Sequence, residues 1–561
     1  MTLKATFCAT ITIAATLAST SLRAQNPATQ PKDTVMNRTV VVEQDYIPEI
    51  EDARKVNVLP QVVEPAASKK EVRYATAASP AANIPTGTLP SYVAPETQAV
   101  ATPGFVRAGF GNYGNVDLLG NYLFRPSTRD KLNVRLGVEG MNGRLGNALP
   151  ETGEKWKSHH YRTKAGLDYS HQFDQFDLDV AGHFGLSNFN LLPMLDGGNQ
   201  KFTSGTFRVA LRSTDEAATL RFRGETNLLL YGRKLNPLMD NANAPTGTTG
   251  INETLLRTKV AVSGDISDGQ SVTVTGEMSN YWYGGQTSKS YTALDLNPSY
   301  ALTGDEWRLR AGAHIDLSFG FDKLIRVAPD IMVQYLFSDS YVLYAQATGG
   351  KRLNDFRRLE TLSPYAAMDE LPTATYEQLN AAIGFKASPY PAVWLNLTGG
   401  YQRLTNDLAC VPFPYIYVGA ASGPPLFYHD DTYNYYLGGQ VSYAYKDLFT
   451  VAASYTYRNW TADSEEFLLV MKPESEASVN IGIHPIPALR VDVGFDYIGR
   501  RKVGDTKVNA VSDLHANVGY DLFKGVAIYA RLGNLLNKKY AYYLGYPTEG
   551  FNLLGGLSFK F

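Results

Sequence analysis

Cysteine is nearly missing from this chain, which holds two in 561 residues. Cys8 falls in a stretch that reads as a leader, so Cys410 is left alone, and one thiol makes neither an intrachain disulfide nor CxxC-type metal spacing. Long hydrophobic runs are lacking too. No internal stretch of about 20 apolar residues occurs, which excludes a bundle of transmembrane helices. Neither charge dominates: 52 Lys and Arg stand against 54 Asp and Glu, a net charge of -2, so no basic field points to nucleic acid. GxSxG, a Gly-rich phosphate loop and HExxH are all absent. His159 and His160 are adjacent and diverge on a strand, with no cysteine or carboxylate at metal-ligand spacing beside them. The other histidines are scattered singly. We expect no catalysis, no cofactor and no metal.

What is present is alternation. From Gly104 to Phe561 apolar residues recur at every second position, the period of a strand whose two faces meet different surroundings. Leu132, Val134, Leu136 and Val138 alternate with Asn133, Arg135, Gly137 and Glu139. Leu489, Val491, Val493 and Phe495 alternate with Arg490, Asp492 and Gly494. The last strand sets Leu553, Gly555, Leu557, Phe559 and Phe561 against Asn552, Leu554, Gly556, Ser558 and Lys560. Strands of about ten residues with long charged side chains on one face describe a membrane barrel wall, oil outside and water inside. The 36 tyrosines suit interface girdles and sugar-facing loops alike.

Short and long connections take turns along this region. Tight joints include Ser267–Gln270, Thr303–Glu306, Tyr445–Leu448 and Phe523–Gly525; long ones include Asn142–Lys157, Gly232–Asn252, Gly350–Leu371 and Thr405–Asp431. That asymmetry belongs to short periplasmic turns and long external loops. Ten short turns give an all-β transmembrane antiparallel β-barrel with an even strand number of about 22, with 20, 18 and 16 left open.

The amino-terminal part is different material. Residues 1–24 read as a secretory signal, with Lys4 before a core of apolar and small residues. Residues 25–103 are rich in Pro, Ala, Thr and Val without period, a mostly irregular arm that is periplasmic or inserted in the lumen. Within it lies the β-branched stretch Asp33–Asp45.

Three stretches carry a family resemblance. Leu532-Gly-Asn-Leu-Leu-Asn-Lys-Lys-Tyr540, then Gly545-Tyr-Pro, then Phe551 to Phe561 resembles the carboxy-terminal signature of TonB-dependent outer-membrane receptors. Thr39, Val40, Val41, Val42 and Glu43 resemble the box with which such receptors add a strand to TonB. Gly349–Arg352 with Leu362-Ser-Pro-Tyr365 is similar to Bacteroidota proteins of this type. The resemblance implies a bacterial outer-membrane location, lipid around the barrel, TonB or another envelope protein as partner of the arm, and transport of a solute. It departs from the family in one respect: residues 25–103 do not read as a globular plug, so the plug is missing or much reduced.

Two constellations are candidates for function. Arg135, Glu139, Asp168, Asp177, Asp179, Arg208, Arg212, Arg221 and Arg223 fall on the wet row, either as a polar solute path or as a lumen filled by its own ion pairs. In the loop Thr405–Asp431, Tyr415, Tyr417, Phe427, Tyr428 and His429 are candidates for an external contact. Three functions stay open: transport-related binding or uptake of a polar solute, an accessory barrel in an envelope complex, and a passive pore.

Overall fold

The computed structural model describes residues 102–561 except 148–154, 193–197, 216–217, 236–249, 285–289, 339, 368–373, 391, 413–424, 465, 504–506 and 544. The arm with Thr39–Glu43, and loop residues Tyr415 and Tyr417, lie outside the described residues.

The alternating segments become 22 strands in one antiparallel sheet. The first eight are β1 (Gly104–Gly111), β2 (Val116–Phe124), β3 (Asp130–Asn147), β4 (Lys155–Gln172), β5 (Phe176–Asn190), β6 (Asn199–Ser213), β7 (Leu220–Arg233) and β8 (Ile251–Ser267). The middle of the wall is β9 (Gln270–Gly284), β10 (Tyr291–Thr303), β11 (Trp307–Phe319), β12 (Ile325–Ser338), β13 (Tyr341–Arg352), β14 (Thr375–Tyr390) and β15 (Val393–Pro412). The remainder is β16 (Pro425–Tyr445), β17 (Phe449–Ala462), β18 (Pro473–Ile486), β19 (Leu489–Arg500), β20 (Val511–Phe523), β21 (Val526–Gly533) and β22 (Asn552–Lys560). Each strand pairs with the next, and β22 pairs back on β1 from Phe105↔Lys560 to Gly111↔Leu554. The sheet is closed, so no edge is left with unpaired amides.

The ten short joints expected from the sequence all fall at one rim. There the β20–β21 turn needs Gly525 at φ 83, a left-handed conformation that strains any residue with a Cβ. Both Gly104 and Phe561 sit at this rim, where Gly104 N donates to Phe561 O at 2.7 Å.

Solvent exposure runs opposite to that of a water-soluble protein. Phe110 (69% exposed), Ile383 (69%) and Leu437 (66%) project outward, while Arg107 (2%) and Arg531 (4%) are buried on the inner face. A belt of exposed Leu, Val, Ile and Phe continues around the outer wall. No helix among the described residues is long and apolar enough to cross a membrane.

The strands outrun the sequence reading on the long-loop side. The loop expected over Thr405–Asp431 is mostly strand, because β15 continues to Pro412 and β16 begins at Pro425. Phe427, Tyr428 and His429 therefore stand in β16 and not in a loop, paired with Cys410, Ala409 and Leu408. The loop expected over Asn142–Lys157 shrinks in the same way, since β3 reaches Asn147 and β4 starts at Lys155. The cause is visible in the packing. Leu408 and Phe427 belong to one apolar cluster and Ala409, Val411 and Tyr428 to another on the opposite face. A strand buried on both faces loses the alternation that would reveal it.

The closing seam is fastened from inside by Asp117 of β2. Its carboxylate accepts from Arg107 of β1 (2.7 Å), from Tyr529 of β21 (2.9 Å) and from Arg531 of β21. The Tyr529 side chain passes over β22 and β1 to get there, and Gly109 of β1 leaves it room: a Cβ at that position would lie 2.2 Å from the Tyr529 hydroxyl. Replacing Asp117 by Ala strands two buried guanidinium groups, a loss on the order of 3–5 kcal/mol. The expected result for Asp117→Ala is a lower temperature for loss of the folded, fast-migrating band in semi-native electrophoresis, with Asp117→Asn intermediate.

Candidate functional site

The register places Arg135, Glu139, Asp168, Asp177, Asp179, Arg208, Arg212, Arg221 and Arg223 on the inward row of β3 to β7. Neighbouring strands supply opposite charges. Arg212 meets Asp177 at 2.7 Å, Arg208 meets Glu225 at 2.8 Å and Arg221 meets Asp265 at 2.6 Å, while within β7 Arg223 lies 3.8 Å from Glu225. His183 binds Asp168 at 2.8 Å and Arg162 lies 3.7 Å from Glu139. The pattern continues at Arg310–Asp330 and Arg352–Glu377, each 2.6 Å. These pairs lace the wall between adjacent strands. They do not converge on one point, and among the described residues no group of three His, Cys, Asp or Glu is placed to hold a metal.

Convergence occurs instead at the long-loop rim, in a segment that sequence reasoning passed over. β13 ends in a bulge between Thr348 and Gly350, which turns the chain inward. Asp355 then caps a short helix, α1 (Phe356–Leu362), by accepting from Arg358 N at 2.8 Å. Phe356, Leu359 and Leu362 recur on one helix face. Phe356 and Leu359 are fully buried among Phe189 of β5, Phe202 of β6, Tyr231 of β7, Ile251 of β8 and Leu408 of β15. A connection that leaves β13 and packs on β5 to β8 must cross the bore.

This strap, residues 353–367, is held by polar contacts as well. Glu253 of β8 accepts from Phe356 N at 3.1 Å, satisfying one of the open amides of a helix start. Tyr231 donates to Glu360 at 2.8 Å. Arg233, buried over the ring of Phe202, donates to the carbonyls of Pro364 (2.8 Å) and Ala366 (3.1 Å). Ala367 N donates to Pro425 O at 2.9 Å. The signals were in the sequence, an Asn-Asp cap before apolar residues at helical spacing, but a helix of 7 residues, about two turns, is too short to register as a period.

The strap meets a second inward structure, the connection from β21 to β22. Asn534 (φ 44) and Asn537 (φ 48) turn this loop on itself. Asn534 Nδ2 donates to Lys538 O and Glu549 O, and Asn537 Oδ1 accepts from Phe551 N. The loop so formed presents Tyr540, Tyr542, Tyr543 and Tyr546, all buried with Trp156 and Met141. Tyr365 of the strap stacks on Tyr546 with centroids 3.5 Å apart and rings 8° from parallel.

Beneath that stack, between the two loops and strands β2 to β5, lies a cavity of about 120 Å³. Strap residues Glu360 and Tyr365 and loop residues Tyr543, Tyr546 and Glu549 line one side, and Glu139, Trp156, Ser158 and Arg162 line the other. Of the charged residues picked from the sequence, Glu139 alone reaches it. Phe427 touches the strap's apolar cluster and Tyr428 a neighbouring one, so neither stands free for an external partner. Burial raises the Glu549 carboxyl to about 7, against the hydrogen bond from Asn115 that favours its charged form.

The sequence matches no family model and no curated protein at a significant level. The fold does have likenesses among solved structures. The iron transporter FrpB (F5-1 variant) of Neisseria meningitidis superposes with a TM-score of 0.64 at 11% identity, over 82% of this chain and 83% of that one. The copper transporter OprC gives 0.63 at 12% identity, over 83% and 82%. The siderophore receptor PirA of Acinetobacter baumannii gives 0.63 at 10%, over 83% and 81%. At such identities the likeness is one of fold, a 22-strand closed barrel.

Two outcomes follow from the strap and its neighbour. Phe356→Ala removes a fully buried ring from the strap's anchor, about 3–5 kcal/mol. Trypsin should then cut at Arg357 and Arg358 some ~10²-fold faster than in the unaltered barrel, read on gels as two fragments. The second concerns pH. Undocked, Glu549 titrates near 4.5; docked, near 7. Between these values the undocked loop sheds a proton that the docked loop keeps, so docking weakens as pH rises through that window and is level above it. Tyrosine and tryptophan fluorescence of the loop cluster should drift between pH 4.5 and 7 and hold steady in Glu549→Gln.

Proposed function

We propose that this chain is a bacterial outer-membrane barrel that binds and admits a polar solute from its long-loop side, with the entrance closed at rest by its own strap. The observation that carries the proposal is the strap itself. An open bore of 22 strands would leak, and a closure built from two loops pinned by Arg233, Glu253 and the Tyr365–Tyr546 stack favours a gated path over a passive pore. The apolar outer wall calls for lipid around it, and the charged inner row suits water and a polar solute. The fold shared with an iron transporter, a copper transporter and a siderophore receptor supports transport as the class of function. Thr39–Glu43 would recruit TonB by strand addition, and residues 25–103 would then act as the periplasmic handle. Tyr415 and Tyr417 remain candidates for first contact with the solute outside.

Conductance separates this reading from the passive pore. The full chain in a planar bilayer should be silent, and Phe356→Ala with Leu359→Ala, which frees the strap, should open steps of current. Steady large-pore conductance from the unaltered chain would refute a gated path. Uptake that survives deletion of residues 33–45 would remove TonB from the scheme and leave the rest.

A further inference from the structure

The cavity under the Tyr365–Tyr546 stack contains polar atoms that the protein itself leaves unanswered. The Trp156 indole nitrogen and the hydroxyls of Tyr543 and Tyr546 are buried and have no hydrogen-bond partner. Their side chains are 3%, 8% and 4% exposed, and all three line the cavity. A buried donor without a partner carries a penalty of about 1–3 kcal/mol. Three around one small space form an arrangement that makes sense when something else fills it.

The chemistry of the lining narrows what that is. The indole N–H can only donate, so the occupant must offer an acceptor there. That excludes an ammonium group facing Trp156. Anions fare no better. Asp117, Glu139, Glu360 and Glu549 face the space against Arg162 and Arg531, and Arg531 is committed to Asp117. Glu139, whose ion pair with Arg162 is a long 3.7 Å, has lone pairs left for a donor from the occupant, and the Ser158 hydroxyl lies alongside. The occupant therefore accepts from indole and phenol, donates to carboxylate, and bears no net charge. A vicinal polyol does all three. Tyr365, Tyr543, Tyr546, Trp156 and Phe189 provide carbon surface for its C–H groups. The size, about 120 Å³, is below that of an engineered 150 Å³ cavity that takes a benzene ring; because the space is open on one side, it takes one face of a single sugar ring whose remaining hydroxyls stay outside it, and not a chain.

We infer that this cavity is a binding site for a single neutral saccharide ring, held between Trp156, Glu139 and the tyrosines of the β21–β22 loop beneath the strap. The inference rests on the polar-solute reading of the barrel and names the solute's class. Docking of a sugar here would join the strap to the loop opposite it, so the same ring would be both cargo and latch.

The test is equilibrium binding to the full chain in detergent, followed by tryptophan fluorescence and calorimetry. The probes are a panel of free hexoses and pentoses, with inorganic phosphate and a monoamine as charged controls. Saturable binding of at least one sugar is expected, with neither control binding. Trp156→Phe, which keeps a ring and removes the N–H, should weaken that sugar about tenfold, the equivalent of one hydrogen bond. Tyr543→Phe with Tyr546→Phe should weaken it further. If no sugar binds, or if phosphate or the amine binds instead, the inference fails. It fails equally if the Phe variants gain thermal stability while sugar binding is unchanged, since the unanswered atoms would then be mere strain. Bilayer silence is independent of these outcomes, so loss of the saccharide site would leave the gated barrel standing, and an open pore that still binds sugar would do the reverse.

Discussion

A sheet is free of unpaired edge amides only when its first strand meets its last, and in this chain that demand is met at the β22–β1 seam. Closure is what lets one face of the wall carry the exposed apolar side chains and the other carry the ion pairs. It also gives a role to the buried charge cluster Arg107–Asp117–Arg531 with Tyr529, which sits across the seam. The two strands at the seam come from opposite ends of the barrel sequence, with no turn to join them. A carboxylate shared by three donors from both sides supplies the specificity that a hairpin supplies at the other joints.

A closed wall of this circumference creates a second problem, an empty bore. The chain solves part of it at the long-loop rim with apolar material that would otherwise be exposed. Phe356 and Leu359 are buried only because Phe202, Tyr231 and Ile251 face inward where charged residues stand lower down the same strands. The inward row thus changes character along its length: ion pairs at the level of Arg208 and Arg212, aromatic and aliphatic packing at the level of the strap. The aromatic excess finds its use here. Tyrosine buries a ring while keeping a hydroxyl for the water-filled side.

Most of the barrel could be read from the sequence, and the reason is physical. A strand whose two faces meet different surroundings must alternate, so Leu132 to Val138 or Leu489 to Phe495 declare themselves, and the short turns count the hairpins. The reading failed where the surroundings stopped differing. Leu408 to Val411 are packed on both faces and looked like loop. Phe427, Tyr428 and His429 were placed in a loop when they are paired strand. The strap was missed because its contacts join residues more than a hundred positions apart, such as Glu253 with Phe356 and Arg233 with Pro364, and no local pattern announces such a pair. Period alone puts the charged residues on one row, but it does not tell which charges meet; Glu139 lines the cavity and Arg212 does not.

The stretches that carry the family resemblance turn out to hold the closure together. Gly349–Arg352 is the bulged end of β13 that sends the strap inward, and Leu362 to Tyr365 is the part that reaches Tyr546. In the carboxy-terminal stretch, Asn534 and Asn537 are the residues whose left-handed backbone and side-chain bonds tie the β21–β22 loop. Asparagine tolerates that conformation better than other residues with a side chain, and its amide can bond to the loop at the same time, so a loop of this shape selects it without reference to any solute. The motif therefore testifies to a way of folding one rim of a large barrel. Of the residues around the cavity, the motif itself supplies Pro364, Tyr365, Tyr546 and Pro547, and strands outside it supply Glu139, Trp156, Ser158 and Arg162.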